Sequence, residues 1–147
     1  MSWRAAGPDD AALLRDLERD ANLVGLRHVF GDLPFPADDV LARWALVLDD
    51  PAVRVEVVER PDGPGLLAFV AYDDTLRHLA VHPSVWRTGL ARAGVERAVS
   101  AGASRLWVLE LNTRARGLYE SLGWSATGVT QDCPWPPYPI ELEYGLG

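Results

Sequence analysis

Between Thr75 and Trp124 the sequence passes from strand to helix to strand to helix, and that order leaves few folds open. Thr75–Val81 has the apolar character of a strand and is stopped by Pro83, residues 89–101 carry helical spacing that ends at Gly102, residues 105–111 form a second apolar strand, and residues 112–122 form a second helix closed by Gly123. A helix lying between two strands is a crossover far too long for a hairpin, so the two strands are expected to run parallel. Antiparallel strands are predicted on both sides of this unit. Val53, Val55 and Val57 alternate with Arg54 and Glu56 before the dense turn Pro61-Asp62-Gly63-Pro64-Gly65, Leu66–Tyr72 returns, and Asp73-Asp74 leads into Thr75. Residues 124–130 and 140–144 read as a closing pair of strands around the proline-rich aromatic loop from Cys133 to Pro139.

The N-terminal third reads differently. Residues 3–6 suggest a short strand. Pro8-Asp9-Asp10 supplies a turn and a capping carboxylate for a helix with Leu13, Leu14 and Leu17 on one stripe. Residues 22–36 read as irregular, and Asp38 or Asp39 is expected to cap a second helix that turns Val40, Leu41, Trp44 and Leu48 inward. The fold class is therefore α/β (α+β), a mixed central sheet of about seven strands with flanking helices, in a single domain over residues 1–147.

Composition narrows the function. The 147 residues are 48% hydrophobic and 24% charged, the balance of a chain that folds around a core. A formal net charge of -7 opposes binding to a nucleic-acid backbone, whose affinity comes from Lys and Arg, and favours a neutral or cationic substrate. Cys133 is the only cysteine, which excludes an internal disulfide and a thiolate metal cluster and fits a reducing, cytoplasmic setting. No stretch approaches the roughly 20 apolar residues of a membrane span, so no membrane partner is expected.

Chemistry concentrates in two segments. Residues 79–92 place a strand end, a proline stop, a short loop and a helix start in sequence, the layout of an anion cradle. Gly89 and Ala91 carry no bulky side chain, so the main chain can approach a ligand. The free N–H groups of residues 87–92, which include Thr88 and Leu90, face outward with the positive end of the helix dipole. Arg87 and Arg92 flank the loop, either to add charge-assisted contacts or as solvated helix-end residues. An ordinary strand-to-helix turn uses small residues for the same steric reason, so this segment alone is not decisive. The second segment opens with Asn112, suited to capping, and places Asn112, Ala115, Tyr119 and Leu122 on one helical face, where a tyrosine is most often a core residue with its hydroxyl at the rim.

Taken together the two segments resemble the GNAT superfamily of acetyltransferases. Val81, Pro83, Gly89 and Ala91 fall on its V-x-P-x-x-(Q/R)-x-x-G-x-(G/A) pattern, and Asn112, Ala115, Tyr119, Gly123 and Trp124 on its N-x-x-A-x-x-x-Y-x-x-x-G-(F/Y/W) pattern. Trp86 stands where the family has Gln or Arg, and Arg87 where glycine is common. The resemblance implies acetyl-CoA as co-substrate and direct transfer of the acetyl group to a small-molecule or peptide amine. It implies that the two parallel strands splay apart, that main-chain atoms of Leu79 and Val81 pair with the pantetheine arm, and that an N–H near Ala80 or Val81 faces the thioester oxygen. It implies that Tyr119 protonates the leaving thiolate, a phenol of pKa near 10 serving a thiol of roughly 8.5. Direct transfer leaves Cys133 a spectator. Relatives in this superfamily often pair, so a homodimer is allowed.

The base and the acceptor are less defined. Strand alternation puts Thr75, Arg77 and Leu79 on one face of their strand and His78 and Ala80 on the other, so the face implied for the base carries no carboxylate or histidine. His78 reads as structural, Asp73, Glu110 and Glu143 are candidates, and a water relay is the expectation. Residues 22–35 and 132–144 are implied to form the acceptor pocket, with His28, Phe30, Trp135 and Tyr138 available to stack or to hold a cation. Two rival readings stay open: an acyl-CoA-binding or sensing module without turnover, and an adaptor domain that uses its proline-aromatic loop.

Overall fold

A computed structural model describes residues 2–147 and shows a seven-stranded mixed sheet in the order β1-β2-β3-β4-β5-β7-β6. The strands are β1 (Arg4–Ala5), β2 (Arg54–Glu59), β3 (Leu66–Tyr72), β4 (Thr75–Val81), β5 (Arg105–Leu109), β6 (Trp124–Asp132) and β7 (Ile140–Leu146). The helices are α1 (Ala11–Gly25), α2 (Arg27–Phe30), α3 (Ala37–Asp49), α4 (Leu90–Ser100) and α5 (Thr113–Ser121). β1 to β4 form an antiparallel meander, and the α4 crossover returns β5 parallel to β4, as the helix between two apolar strands requires.

β3 is buried along its whole length because helices cover both faces of the sheet. On one side Val70, Tyr72 and Leu76 meet Val95 and Ala98 of α4, Tyr119 of α5, and Trp124 and Tyr144. On the other, Val55, Val57, Phe69 and Ala71 meet Leu14 and Leu17 of α1 and Val40 and Trp44 of α3. Leu41 and Leu48, expected inward, are only half-buried. Neither helix start is capped as expected. Pro36 precedes α3 without a side-chain cap, and Asp38 and Asp39 lie in its first turn. Asp10 turns away from α1 to accept from the Gly7 N–H at 2.8 Å and from Arg4 at 2.9 and 3.0 Å.

Residues 22–36 are more ordered than their composition suggests. α1 runs on to Gly25, Leu26 breaks it for one residue, and α2 closes at Gly31, whose φ of 58° a glycine adopts without strain. Packing overrides propensity here: the Trp86 ring approaches to 3.7 Å of where a Cβ on Gly25 would stand, and Leu26 faces the interior cavities.

The register of β4 against β3 jumps from Leu76↔Tyr72 to His78↔Ala71, which leaves Arg77 as the extra residue of a bulge. Leu76 and Leu79 therefore both pack on the α4–α5 side, while His78 and Ala80 turn toward α1 and α3.

Candidate active site

β4 and β5 are paired only at their starts, Thr75 with Arg105 and Leu76 with Leu106. Beyond those residues β4 keeps its other neighbour β3 to Val81 and β5 keeps β7 to Leu109, so the two parallel strands separate into a wedge. One cavity opens on each side of it.

The first, of about 330 Å³, lies between β4 and the heads of α4 and α5. Residues 79–81, Arg87, residues 89–92, Asn112 and Ala115 border it, so the segments singled out in the sequence converge. Thr88 does not border it; its hydroxyl donates to the Val85 carbonyl at 2.6 Å and shapes the loop instead. The loop puts Arg87 at φ 65° and Gly89 at φ 89°, both left-handed, which explains why glycine is common at the position Arg87 fills. The N–H groups of residues 87–92 have no acceptor within the described residues, and the first bonded one is that of Ala93, to the Gly89 carbonyl at 3.0 Å. Asn112 caps α5 as expected, its side-chain oxygen accepting from the Ala115 N–H at 3.2 Å.

Two residues of this cavity, Trp86 and Arg114, take roles that the sequence did not assign them. Trp86 donates its Nε1–H to the Val81 carbonyl at 2.8 Å, so that carbonyl, one of the groups implied for pantetheine, is already engaged. Above the indole lies the Arg114 guanidinium, 3.3 Å from the ring centroid. Burial and the nearby Arg87 both lower the Arg114 pKa, and among the described residues no carboxylate is within ion-pairing distance of either arginine. An acidic protein thus holds two uncompensated cations beside a row of free amides, a combination that attracts polyanions. Arg92, by contrast, reaches Glu96 at 3.4 Å on the surface.

Tyr119 stands between the two sides. It is 7% exposed, its hydroxyl has no protein partner, and it borders both the first cavity and a second of about 220 Å³ across the wedge. Burial pushes its pKa up, so the phenol is fully protonated at neutral pH.

The second cavity is lined by Glu18, His78, Ala80, Cys133, Trp135 and Glu141, among others. His78, assigned from strand alternation to the face away from the base, is the imidazole at this acceptor-side cavity. It lies 5.1 Å from Trp44 between ring centroids, and burial, reinforced by Arg43 and Arg77, lowers its pKa to about 3. The ring is therefore neutral and can accept a hydrogen bond. Glu18 is committed elsewhere, accepting from Trp44 Nε1 at 3.0 Å and from Arg43. Glu141 accepts from Gln131 Nε2 at 3.0 Å. The buried Cys133 thiol is held up by burial, the opposite of an activated nucleophile.

The other base candidates, Asp73, Glu110 and Glu143, border neither cavity. Asp73 pairs with Arg77, Glu143 takes Thr127 Oγ1 at 2.7 Å and Arg105 at 3.5 Å, and Glu110 borders none of the three cavities. Tyr138 is 59% exposed and outside the cavities. His28 borders none of these cavities either; its Nε2 lies 2.6 Å from the Leu111 carbonyl oxygen. A third cavity, of about 390 Å³, extends from the second under α2 and the loop after it, and Phe30 and Trp135 border both.

Residues 65–124 match the profile of the Acetyltransferase (GNAT) family. Among solved structures, the apo form of YjaB from Escherichia coli superposes with a TM-score of 0.75 at 19% identity, over 99% of this chain and 96% of that one. A putative acetyltransferase, yncA, from Salmonella typhimurium with its cofactor acetyl-CoA gives 0.66 at 19% identity over 100% and 94%. A spermidine N-acetyltransferase from Vibrio cholerae gives 0.64 at 19% identity over 98% and 93%. These likenesses establish the fold. No curated protein is similar enough in sequence to match.

Proposed function

We propose, from the match of residues 65–124 to the GNAT acetyltransferase family and from the wedge itself, that the chain moves the acetyl group of acetyl-CoA directly onto an amine, with the two substrates meeting between β4 and β5. The observation that carries this reading is the buried Tyr119 with its unpartnered hydroxyl at the junction of two cavities, one edged with free amides and unpaired arginines. The residues fit the co-substrate in each part. The amides of residues 87–92, with Arg87 and Arg114, bind the diphosphate, main-chain groups of Leu79 hold the pantetheine amides, and a main-chain N–H at Ala80 or Val81 faces the thioester oxygen. The thioester supplies an activated acetyl group, so no protein nucleophile is needed and Cys133 stays a spectator.

Tyr119 donates its proton to the departing sulfur. A phenol raised by burial is a weaker acid, but the same apolar surroundings raise the thiol it serves, so the gap between them stays small. At the acceptor side the amine must be neutral to attack, and burial in the second cavity disfavours the ammonium form. His78 or cavity water accepts the proton that the attacking nitrogen sheds.

The acceptor is an amine reached through the cavities under α2 and the 133–139 loop. The net charge of -7 supports an activity apart from nucleic acid, and the single buried thiol supports a cytoplasmic setting. No helix among the described residues is long and apolar enough to cross a membrane. The weakness of His78 as a base favours one alternative, an acyl-CoA-binding module without turnover. The test is direct: acetyl-CoA at 100 times its Kd should stabilise the fold by about 2.7 kcal/mol, and adding amines should release free thiol. Stabilisation without thiol release would select the binding module, and no stabilisation would remove both.

A further inference from the structure

The third cavity differs in character from the wedge it opens onto. Its volume of about 390 Å³ lies in the range of small-molecule sites, roughly 300–1,000 Å³. Leu23, Leu26, Phe30, Leu33, Phe35 and Trp135 make its walls, drawn from α1, α2, the loop after α2 and the 133–139 loop. Leu23 is 55% and Leu33 48% exposed, so large apolar side chains are left uncovered at its edge.

Of its charged groups, only the Asp39 carboxylate at the rim has no ion-pair partner among the described residues. Glu18 is neutralised by Arg43 and bonded by Trp44 Nε1, Arg27 points to solvent 3.6 Å from Asp32, and Asp39 lies on the exposed first turn of α3. A polyamine would find only the rim carboxylate of Asp39 and would leave its remaining cations against apolar walls, and a peptide would have to bury main-chain polar groups without partners.

On the reading that this is an N-acetyltransferase, we infer that its acceptor is a small primary amine carrying an aromatic or branched aliphatic body, which fills the third cavity while the amine reaches past Phe30 and Trp135 to Tyr119. Glu18, Asn22, Leu26, Phe30 and Trp135 border both this cavity and the one at the wedge, which makes the path continuous. Transfer forms the C–N bond and breaks the C–S bond. The sulfur leaves with a proton from Tyr119, the nitrogen gives one up, and the products are the N-acetyl amine and the free thiol of CoA. The body sets affinity through apolar burial, and the cavity excludes the competitors through the cost of desolvating charge.

The full-length protein, saturated with acetyl-CoA, is assayed for thiol release with 2-phenylethylamine, ethylamine, spermidine and an alanine-initiated peptide. The expected result is a kcat/KM for 2-phenylethylamine about 100-fold or more above that for ethylamine, with spermidine and the peptide no better than ethylamine. Preference for spermidine or the peptide, equal use of ethylamine, or turnover of none of the four overturns the inference. Leu33→Glu, at the exposed rim where a charge is tolerated, should reduce the preference for 2-phenylethylamine over ethylamine at least about 10-fold. An unchanged preference also overturns it. Thermal stabilisation by acetyl-CoA, measured without amine, separates the two levels: its loss defeats the acetyltransferase reading itself, whereas its retention with the wrong amine preference defeats only the acceptor class.

Discussion

Tyr119 reads as a core residue and is also the one proposed as the acid. Its ring packs 6.3 Å from Trp124 and closes the α5 side of the sheet, while its hydroxyl is left without a partner at the wedge. Tyr119→Phe keeps the packing and removes only the proton, so kcat should fall by about 10²–10³ with the Kd for acetyl-CoA unchanged. Steady-state kinetics beside a binding titration checks this. Arg114 calls for the opposite pattern. Removing a partly desolvated cation from an anion site, as in Arg114→Ala, should weaken CoA binding by about 1–2 kcal/mol, with kcat at saturation kept and a shallower salt dependence. Calorimetry at two ionic strengths measures it. Tyr119, Gly89 and Asn112 were legible because their spacing is fixed by main-chain geometry. The Trp86–Arg114 pair was not, since a stacked contact between a loop and the first turn of a helix distant in sequence has no spacing to read.

At the level of elements, the order of strands and helices was open to sequence reasoning from residue 53 onward, where alternation and glycine stops are strong. α2 was not, because Asn22, Gly25 and Gly31 look like breakers, and the packing of Trp86 beside Gly25 leaves no local signal in the sequence. The β4 bulge at Arg77 was invisible as well. It decides that Leu76 packs on the same side as Leu79, and no sequence period of two contains it. α4 carries a further constraint at Gly94, where an added Cβ would stand 2.8 Å from Leu79 Cδ1 and 3.4 Å from Trp3. Gly94→Ala gains about 1 kcal/mol of helix propensity and loses a comparable amount as the Leu79 side chain shifts. Stability should stay within about 1 kcal/mol by chemical denaturation. The displaced Leu79, which borders the cofactor cavity, should raise the KM for acetyl-CoA several-fold.

For the whole molecule, the sheet is sealed on both faces by separate cores, and His78 faces one of them with its ring uncharged. Burial, with Arg43 and Arg77 nearby, sets its folded pKa at about 3 against 6.5 for the free side chain. Between those values the unfolded chain binds a proton that the folded chain refuses. Stability is therefore full above about pH 6.5 and falls as the pH drops, with a slope approaching about 1.4 kcal/mol per pH unit for that proton. The Asp10 carboxyl, which Arg4 holds below its ordinary value, adds a dependence of the same sign, but only from about pH 4 downward. Melting curves between pH 4.5 and 6.5 should thus show a slope in the native chain that His78→Gln removes.

The parting of β4 from β5 after two register pairs leaves the sheet as two half-sheets hinged at one end. A ligand whose own amides bridge that seam would act as a rung borrowed from outside, completing a ladder that the polypeptide leaves short. Binding of acetyl-CoA should then slow amide exchange most in β4 beyond Leu76, on the strand rather than at the phosphates, while β2 and β6 at the outer reaches of the two half-sheets exchange as before.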